Sequence, residues 1–341
     1  MVNHVQYKPE WVREDFVDFL AEKLHPTWAW KKVKAQLSAR KALSDDFIQL
    51  QLRPNKNFKV DQVKAGQSIL VTVVIQGVHQ QRSYSVVDIL PNKDLVIAVK
   101  RQGLVSQALT NMAVNSVIEI SQAQGDFVVD PQLPMPMLLI ASGSGITAIY
   151  ALLKQMLRNA DQKVDLLYFT RDNAYHEEIQ SLTQQYPQFK YHHVNTRQTA
   201  QHFSPSLLTA CIPDFQQRAC YACGAAPMMQ SIQQLYAELQ LTHVLKTEYF
   251  QIQVDSTLEA QPVTFLRAQQ QFQAQNNLLE SAEKAGLRPA HGCRMGICNT
   301  CSCTKIQGAV RNLLTGEIDA QSNTQIKLCI SQAVSPVVIN L

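Results

Sequence analysis

Four cysteines near the C-terminal end of the sequence have a spacing that suits metal chemistry. Cys293, Cys298 and Cys301 follow the pattern Cys-x4-Cys-x2-Cys, and Cys329 comes later in the chain. Three thiolates in one short loop with a fourth from a later segment are typical of a site that holds two irons and two sulfides. Gly296 lies inside the loop, where the lack of a side chain lets backbone N–H groups approach the sulfur atoms. The sequence therefore predicts a 2Fe-2S cluster with these four cysteines as ligands.

Two other uses of the cysteines have to be weighed. A zinc site needs two Cys-x2-Cys pairs, which Cys220 with Cys223 and Cys298 with Cys301 would supply. That arrangement leaves two cysteines of the loop pattern without a role, so zinc is disfavoured. A disulfide framework is disfavoured as well, because none of the eight cysteines precedes Cys211 in a chain of 341 residues.

A second set of polar residues has the chemistry to bind a flavin. Arg82, Tyr84 and Ser85 lie on one strand-like run, and they supply a guanidinium for phosphate, a ring for stacking and a hydroxyl for flavin N5. The segment Lys100–Gly103 leads into Ser106 at a predicted helix start, where free N–H groups and the helix dipole favour an anion. Together these residues predict a cradle for a flavin pyrophosphate.

A glycine-rich turn follows further along the chain. In LLIASGSGITAIYALL, Gly143-x-Gly145-x-x-Ala148 lies between a predicted strand and a predicted helix. Such glycines permit a tight turn and close approach to a pyrophosphate, but the pattern alone also suits an ordinary turn. Cys223 and Gly224 end a later strand of the same predicted sheet, at the place where a nicotinamide ring would lie.

Three patterns of secondary structure position these residues. From 33 to 130, six short runs rich in Val and Ile, separated by turns, predict an antiparallel barrel with one short helix over 106–112. From 134 to 250, strands alternate with helices, which predicts a parallel sheet covered on both faces. From 252 onward, strand patterns and one helix precede the cysteine loop and short closing strands. The sequence is thus predicted to be multidomain.

Charge and hydropathy exclude several classes of protein. A net charge of +4 is too small for a dedicated nucleic-acid-binding protein. The N-terminus lacks the pattern of a signal peptide. The uncharged stretch between Asp130 and Lys154 contains three prolines and two glycines, so a strand, a turn and a helix explain it better than a membrane span. We therefore expect a cytoplasmic monomer.

Residues 1–32 are predicted to be a helical extension. The apolar side chains that share one helical face are Trp11, Phe16, Phe19, Leu20 and Leu24. The favoured interpretation is that this face packs against the main body of the protein. The alternative is that it docks on a membrane surface or on a partner. The lysines and arginines that follow are interpreted as a solvated face.

Two family resemblances rest on these motifs. The loop HGCRMGICNTCSC, with NLLESAEKAGLRP before it and LCISQAVS after it, resembles plant-type ferredoxin domains over most of residues 255–341. The Arg-x-Tyr-Ser strand, the glycine turn and the Cys-Gly strand end together resemble the ferredoxin-NADP reductase superfamily. This implies an antiparallel β-barrel flavin domain, an α/β parallel-sheet nicotinamide domain and an α+β β-grasp ferredoxin domain. The predicted boundaries are 1–32, 33–132, 133–252 and 253–341.

The superfamily resemblance also implies roles for individual residues. The implied flavin contacts are Arg82, Ser83, Tyr84, Ser85 and Phe250, with Lys100, Gly103 and Ser106 near the phosphates. The implied nicotinamide-cofactor contacts are Gly143, Gly145, Thr147, Cys223 and Gly224. The implied catalytic residues are Cys223, Ser85 and Glu248. The segment from Lys100 to Ser106 favours FAD over FMN. Arg197 favours NADPH over NADH, because members that use NADPH have an arginine there for the 2′-phosphate. The sequence departs from the superfamily at Cys-Gly-Ala-Ala-Pro, where many members have Cys-Gly-Pro, and this weakens the local correspondence.

The order of the domains implies an electron-transfer chain. NAD(P)H would reduce FAD, and a 2Fe-2S cluster would pass electrons to an acceptor protein. The Trp-containing segment before the barrel most resembles reductases of membrane di-iron fatty acyl desaturases, so a desaturase at the inner face of the membrane is the predicted acceptor. A soluble aromatic-ring oxygenase or a phenylacetyl-CoA epoxidase is the alternative. A redox-sensing iron–sulfur flavoprotein is the alternative from another class.

Overall fold

The structure is a computed structural model that describes residues 14–75, 77–130, 136–250, 254–255 and 257–341. Its helices are α1 Glu14–Leu24, α2 Leu104–Asn111, α3 Ile146–Met156, α4 His176–Gln185, α5 Thr196–Thr199, α6 Pro205–Cys211, α7 Ala226–Glu238 and α8 Leu278–Lys284. Its strands are β1 Lys34–Ala42, β2 Phe47–Pro54, β3 Ser68–Ile75, β4 Val78–Ile89, β5 Leu95–Lys100, β6 Val117–Ile120, β7 Met137–Ser142, β8 Val164–Thr170, β9 Phe189–Asn195, β10 Ala219–Gly224, β11 Leu245–Tyr249, β12 Gln261–Phe265, β13 Gln270–Ala274, β14 Ser302–Gln307, β15 Val310–Asn312, β16 Ile318–Asp319, β17 Thr324–Lys327, β18 Ser331–Ala333 and β19 Val337–Ile339.

The first six strands close into an antiparallel barrel in the order β1-β2-β5-β4-β3-β6. Aliphatic side chains fill its interior, and Leu37, Leu50, Ile69 and Ile97 are fully buried there. Such residues suit strands because their side chains pack well on a pleated surface. The predicted six-stranded barrel is confirmed, and α2 begins two residues before the predicted helix.

The second domain contains a parallel sheet in the order β11-β10-β7-β8-β9. Every residue of β8 is buried, as expected for a strand covered by helices on both faces. The chain passes from β7 to β8 on one side and later places β10 on the other side of β7. The carboxyl ends of β7 and β10 therefore border a crevice at a switch point of the sheet, where ligands bind in folds of this kind. The predicted parallel sheet is confirmed.

The third domain has a five-stranded sheet in the order β13-β12-β19-β14-β17, with α8 packed against it. Lys305 of β14 is fully buried. Its ammonium donates hydrogen bonds to the backbone oxygens of Gly308, Asp319 and Gln321. This solvation by carbonyl groups is what allows a cation to be buried without a large penalty. The predicted β-grasp arrangement is confirmed.

Ion pairs connect the barrel to the α/β domain. Lys100 Nζ lies 3.1 Å from Asp172 Oδ2, and Lys154 Nζ lies 2.6 Å from Asp88 Oδ2. The predicted boundaries at 132 and 252 fall within 131–135 and 251–253, which lie outside the described residues. These boundaries therefore stay predictions.

Helix α1 differs from the favoured prediction. The apolar side chains that face solvent are Phe16, Phe19, Leu20 and Leu24. The prediction that this face packs on the main body is wrong for these four residues, because α1 contacts the rest of the protein through the carboxylates of Asp18 and Glu22. Trp11 lies outside the described residues. Within the described part of the chain, no helix has both the length and the apolar character needed to cross a bilayer.

Candidate cofactor sites

The four predicted cluster ligands lie together in one buried site. Cys293, Cys298 and Cys301 occupy the loop before β14, Cys329 follows β17, and each is at most 5% exposed. Cys301 Sγ lies 3.3 Å from Cys329 Sγ. The N–H of Cys293 donates to Cys298 Sγ at 3.3 Å, and the N–H of Cys298 donates to Cys293 Sγ at 3.2 Å. The thiols thus form two neighbouring pairs, an arrangement that suits two bridged irons with two cysteine ligands each.

Other backbone donors point at these sulfur atoms. The N–H of Met295 donates to Cys293 Sγ at 3.4 Å, and the N–H of Gly296 donates to Cys329 Sγ at 3.3 Å. A hydrogen bond with the Cys298 thiol, together with backbone N–H donors, lowers the pKa of the Cys293 thiol. Gly296 has φ +75°, a conformation that favours glycine. The donors favour thiolates, which are the form that binds iron, so the site fits the predicted cluster.

Cys220 and Cys223 do not form the pair that a zinc site would need. Both lie in β10, three residues apart, so their side chains point to opposite faces of the sheet. Cys220 packs in the core on one face and Cys223 in the core on the other. Burial raises the pKa of Cys220 to about 12, which disfavours the thiolate that a metal would bind.

A cavity of about 320 Å³ contains most of the predicted flavin contacts. All three domains contribute to its lining. The barrel contributes Gln80, Arg82, Ser83, Tyr84, Ser85, Ala98 and Lys100, and the start of α2 contributes Gln102, Gly103, Leu104, Val105 and Ser106. The α/β domain contributes Ser144 and Thr147, and Phe250 and Met295 complete the wall. The first N–H groups of α2 have no partner within the helix, so this edge of the cavity suits a phosphate.

Two unsatisfied polar groups lie at or near this cavity. Ser85 is buried on β4, and its Oγ has no hydrogen-bond partner among the described residues. Glu248 is buried at the end of β11, and its Oε2 has no partner either. An unpaired buried polar group is costly unless a ligand completes its hydrogen bonds. The orphaned Ser85 hydroxyl beside the Tyr84 ring and the Arg82 guanidinium therefore fits a flavin.

Several predicted flavin contacts have partners inside the protein. The Lys100 ammonium pairs with Asp172, as described above. Ser106 Oγ accepts the N–H of Gly103 at 2.9 Å, which caps the start of α2. Ser83 Oγ donates to a serine hydroxyl of β3 at 2.8 Å. Lys100, Ser106 and Ser83 still line the cavity, but their contact with a flavin stays a prediction.

The predicted nicotinamide turn lies against the end of β10. Gly143 has φ +52°, and a Cβ there would meet nothing within 4 Å. A Cβ on Gly145 would lie 2.0 Å from the carbonyl oxygen of Cys223, and a Cβ on Gly224 would lie 2.2 Å from Ser142 Oγ. Gly145 and Gly224 are therefore required for the two strand ends to approach each other. The turn and the Cys-Gly strand end form one compact surface beside the crevice.

Cys223 and Glu248 are paired neighbours on β10 and β11. Burial raises the pKa of Glu248 to about 8. Burial, with a smaller contribution from Glu248, raises the pKa of Cys223 well above its usual value. Both groups are therefore neutral at pH 7 in this structure. A neutral thiol and a neutral carboxyl next to a crevice do not repel a reduced, electron-rich ring.

Arg197 lies on α5, directly after β9. The side chain of Asn195 accepts the backbone N–H of Arg197 at 3.0 Å and so caps this short helix. Thr196 Oγ1 donates to Thr170 O at 3.3 Å, which ties the helix to the end of β8. Arg197 is exposed, so its guanidinium is accessible to a ligand on this side of the sheet. Its role toward a 2′-phosphate stays a prediction.

Sequence reasoning missed the contact between the cysteine loop and the barrel. Leu70 of β3 packs with Cys293 and Cys298. Met295 lines the cavity that contains the predicted flavin contacts, here called the flavin cavity. A Cβ on Gly292 would lie 3.3 Å from Gln81 Oε1 of β4, so the loop and the strand are in close contact. No local pattern signals these residues, because their neighbours come from another domain.

Comparisons with known proteins agree with this arrangement. Residues 34–129 match the oxidoreductase FAD-binding domain, 139–234 the oxidoreductase NAD-binding domain and 263–334 the 2Fe-2S iron-sulfur cluster binding domain. The chain is 24% identical over 332 residues to an NADPH oxidoreductase of Mycobacterium tuberculosis, which covers 93% of this chain and 86% of that protein. It is also 24% identical over 320 residues to the glycine betaine monooxygenase reductase subunit of Chromohalobacter salexigens. This match covers 81% of this chain and 86% of that protein. Among solved structures, phthalate dioxygenase reductase has the same fold, with a TM-score of 0.60 and 22% identity over 90% of this chain and 97% of that one.

The fold, the sites and these matches define a class. The chain contains the FAD-binding, NAD-binding and 2Fe-2S domains of the ferredoxin reductase superfamily, in the order of the members that have a C-terminal 2Fe-2S domain. It is an NAD(P)H-dependent oxidoreductase with FAD-binding, NAD-binding and 2Fe-2S domains in this order, and it resembles the reductase components of oxygenases.

Proposed function

We propose that this protein takes electrons from NADPH and delivers them, through FAD and a 2Fe-2S cluster, to a membrane di-iron fatty acyl desaturase. The main observation in support of this electron path is a cavity that is lined by residues of all three domains. Tyr84 and Ser85 of the barrel, Thr147 and Phe250 of the α/β domain and Met295 of the cysteine loop all line it. A flavin held there would be in contact with the loop that holds the cluster, so electrons need not leave the chain between the two.

Bound FAD supplies the conversion between hydride transfer and one-electron transfer, which side chains do not provide. The Arg82 guanidinium binds a phosphate, and the Tyr84 ring packs on an aromatic face. The Ser85 hydroxyl donates the hydrogen bond that no protein group accepts. The first N–H groups of α2, at Leu104 and Val105, bind the remaining phosphate charge.

The strand ends of the α/β domain position the nicotinamide cofactor. Gly143, Gly145 and Thr147 form the turn that binds its phosphates, and Cys223 with Gly224 forms the surface beside the reacting ring. Because burial keeps Glu248 protonated at neutral pH, its carboxyl can hold or donate a proton without placing a negative charge beside the reduced ring.

The donor is NADPH, which the exposed guanidinium of Arg197 would recognise by its 2′-phosphate. The name of the Mycobacterium tuberculosis relative, an NADPH oxidoreductase, supports this choice. Cys293, Cys298, Cys301 and Cys329 would hold the cluster, which would supply one-electron transfer to the acceptor. Backbone N–H groups around these sulfur atoms stabilise the thiolates.

A membrane acceptor is supported by the apolar side chains that α1 exposes to solvent. The reductase would then work at the cytoplasmic face of the membrane. A soluble oxygenase component is the second candidate, because the names of two similar proteins describe reductases of a monooxygenase and of a dioxygenase.

The test supplies the holoprotein with NADPH or NADH and measures product formed per NAD(P)H oxidised. Membranes that contain a di-iron acyl desaturase are compared with a soluble ring-hydroxylating oxygenase. We expect coupled turnover with the desaturase and a preference for NADPH. The control is Cys298→Ser, which should remove the visible absorbance of the cluster and all coupled turnover while NADPH still bleaches the flavin. Coupling to the soluble oxygenase alone would refute the proposed acceptor.

A further inference from the structure

Helix α1 presents its apolar side to solvent. The exposed fractions are 59% for Phe16, 54% for Phe19, 49% for Leu20 and 77% for Leu24. Residues spaced by three, four and eight positions share one face of a helix, so these four side chains form one stripe. Asp18, on the opposite face, is buried. An ordinary surface helix has the reverse orientation, with its apolar stripe against the core.

Polar contacts hold the helix in this orientation. Asp18 Oδ1 accepts the backbone N–H of Trp30 at 2.7 Å, and Glu22 forms an ion pair with the buried ammonium of Lys34 on β1. Lys34 is itself the first residue of the barrel. The buried Asp18 and the half-exposed Glu22 thus attach the helix to the protein, and the apolar stripe faces outward.

The segment after α1 is also held by polar groups. Asn55 Nδ2 donates to Thr27 O at 3.0 Å, and Asn57 Nδ2 donates to Ala29 O at 3.0 Å and to Trp30 O at 3.1 Å. These bonds bind the backbone of the segment to the barrel without burying its large side chains. Trp28 and Trp30 remain 55% and 50% exposed.

The six exposed apolar residues form what we call the N-terminal patch, defined as Phe16, Phe19, Leu20, Leu24, Trp28 and Trp30. They are half of the large hydrophobic side chains that are exposed in the described part of the chain. Single exposed apolar residues are normal on a protein surface, whereas a cluster of this size indicates a binding surface.

The chemistry of the patch favours a lipid surface over an apolar groove of a protein. Lys23 Nζ lies 5.3 Å from the ring centroid of Phe19. Lysines that lie along apolar side chains can place their ammonium groups among lipid phosphates while their stems follow the apolar surface. Tryptophan is enriched at the interface between headgroups and acyl chains. The carboxylates of Asp18 and Glu22 lie on the other side of the helix, where the Trp30 N–H and the Lys34 ammonium engage them.

We propose that the N-terminal patch docks this protein on an anionic bilayer, with α1 parallel to the membrane and its apolar stripe at the level of the headgroups. The proposal rests on the proposed function only in placing the acceptor at a membrane. Because β1 follows the patch directly, docking brings the barrel next to the lipid and leaves the electron-transfer domains tethered near a membrane acceptor.

The test uses the full-length holoprotein and vesicles, with no acceptor present. Vesicles of phosphatidylglycerol and phosphatidylcholine in equal parts are compared with phosphatidylcholine alone by co-sedimentation. All three tryptophans, Trp11, Trp28 and Trp30, lie in the first thirty residues, so tryptophan fluorescence reports on this segment alone. We expect binding to the anionic vesicles with a blue shift of the emission, and weaker binding to phosphatidylcholine.

The double variant F19S/L20S should lower the partition coefficient about tenfold or more, since each side chain loses apolar contact with the lipid. These residues are exposed, so the fold is expected to be retained. The matched control is L239S/L266S, which removes two exposed leucines elsewhere and should bind as the wild type does.

Equal binding of the variant and the wild type would refute the role of the N-terminal patch in docking. Equal binding to both kinds of vesicle would refute the preference for anionic lipid. Absence of binding to either vesicle would refute docking on a lipid surface. Reduction of ferricyanide by NADPH is measured in parallel. Its failure would count against the proposed function and not against docking, so the two failures are distinguishable.

Discussion

Glu248 and Ser85 are two residues of the predicted cofactor sites whose burial bears on function. Both are buried, and each has an oxygen atom with no hydrogen-bond partner within the described protein. Other buried polar groups, such as the Lys305 ammonium, are fully engaged. An unpaired buried group costs about 1–3 kcal/mol, and a ligand that hydrogen-bonds to Ser85 or Glu248 would remove that cost. Ser85 was predicted from its neighbours Arg82 and Tyr84, but its burial could be known only from the fold.

Glu248→Gln should change how stability depends on pH. In the wild type the pKa of Glu248 is raised to about 8 by burial, whereas in the unfolded chain it is near 4.5. Between these pH values the unfolded chain releases the proton and the folded protein keeps it, so raising the pH favours unfolding. The free energy of unfolding of the wild type should fall relative to that of the variant by up to about 1.4 kcal/mol per pH unit. Denaturant titration of the flavin-free protein at several pH values measures this difference.

Glu238→Gln, on the exposed side of α7, is the control for the loss of a carboxylate from the surface. If the curves for the wild type and Glu248→Gln stay parallel from about pH 5 to about pH 8, the burial of a neutral carboxyl is contradicted.

At the scale of secondary-structure elements, the structure adds a reason for one of the two glycines in the β7–α3 turn. The sequence motif predicts that both glycines serve a pyrophosphate. The structure adds a second requirement for Gly145, whose Cβ would fall 2.0 Å from the Cys223 carbonyl oxygen. Gly143 needs glycine only for its φ of +52°. The two positions therefore have different physical reasons for glycine, and these can be separated by substitution.

Gly145→Ala should destabilise the protein by about 3 kcal/mol or more, because the turn must move away from the end of β10. Gly143→Ala should cost only about 1 kcal/mol, the penalty for a left-handed alanine with free space around it. Thermal or denaturant unfolding of both variants measures the two costs. Equal losses, or a larger loss for Gly143→Ala, would show that close packing against Cys223 is not what requires Gly145.

At the scale of the whole molecule, the contact between the cysteine loop and the barrel supports the proposed electron path. Leu70 faces outward from β3 and packs with Cys293, Cys298, Met295 and Ile297 rather than with the barrel core. A side chain in this position contributes mainly to the docking of the third domain. Its apolar contacts join the cysteine loop to the barrel.

Leu70→Ala should therefore slow electron transfer from flavin to cluster several-fold while leaving reduction of the flavin by NADPH unchanged. Rapid mixing with NADPH, followed by the absorbance of flavin and cluster, separates the two steps. Leu266→Ala, which removes an exposed leucine of the third domain, is the control and should change neither rate. Slower reduction of the flavin itself would place the effect in the nicotinamide or flavin site and would contradict the docking role of Leu70.

The cluster ligands and the three-domain order could be read from the sequence, because both rest on local patterns. The spacing of Cys293, Cys298 and Cys301 restricts the chemistry, and the change from strand runs to alternating strands and helices marks the second domain. The outward orientation of α1 could not be predicted in this way. Periodicity identifies an apolar stripe but not which side of the helix meets the protein, and here Asp18 and Glu22 decided it through their contacts with Trp30 and Lys34.

The sequence by itself determined the spacing of the four thiols and the alternation that builds the nicotinamide domain, and it predicted the flavin contacts Arg82 and Ser85. These depend on residue type, spacing and period, which are local properties of the chain. Only the tertiary structure placed Met295 in the flavin cavity, Leu70 against the cysteine loop and the N-terminal patch toward solvent. Those facts depend on which surfaces of separate domains become neighbours, and contacts between residues far apart in the chain leave no local signal in the sequence.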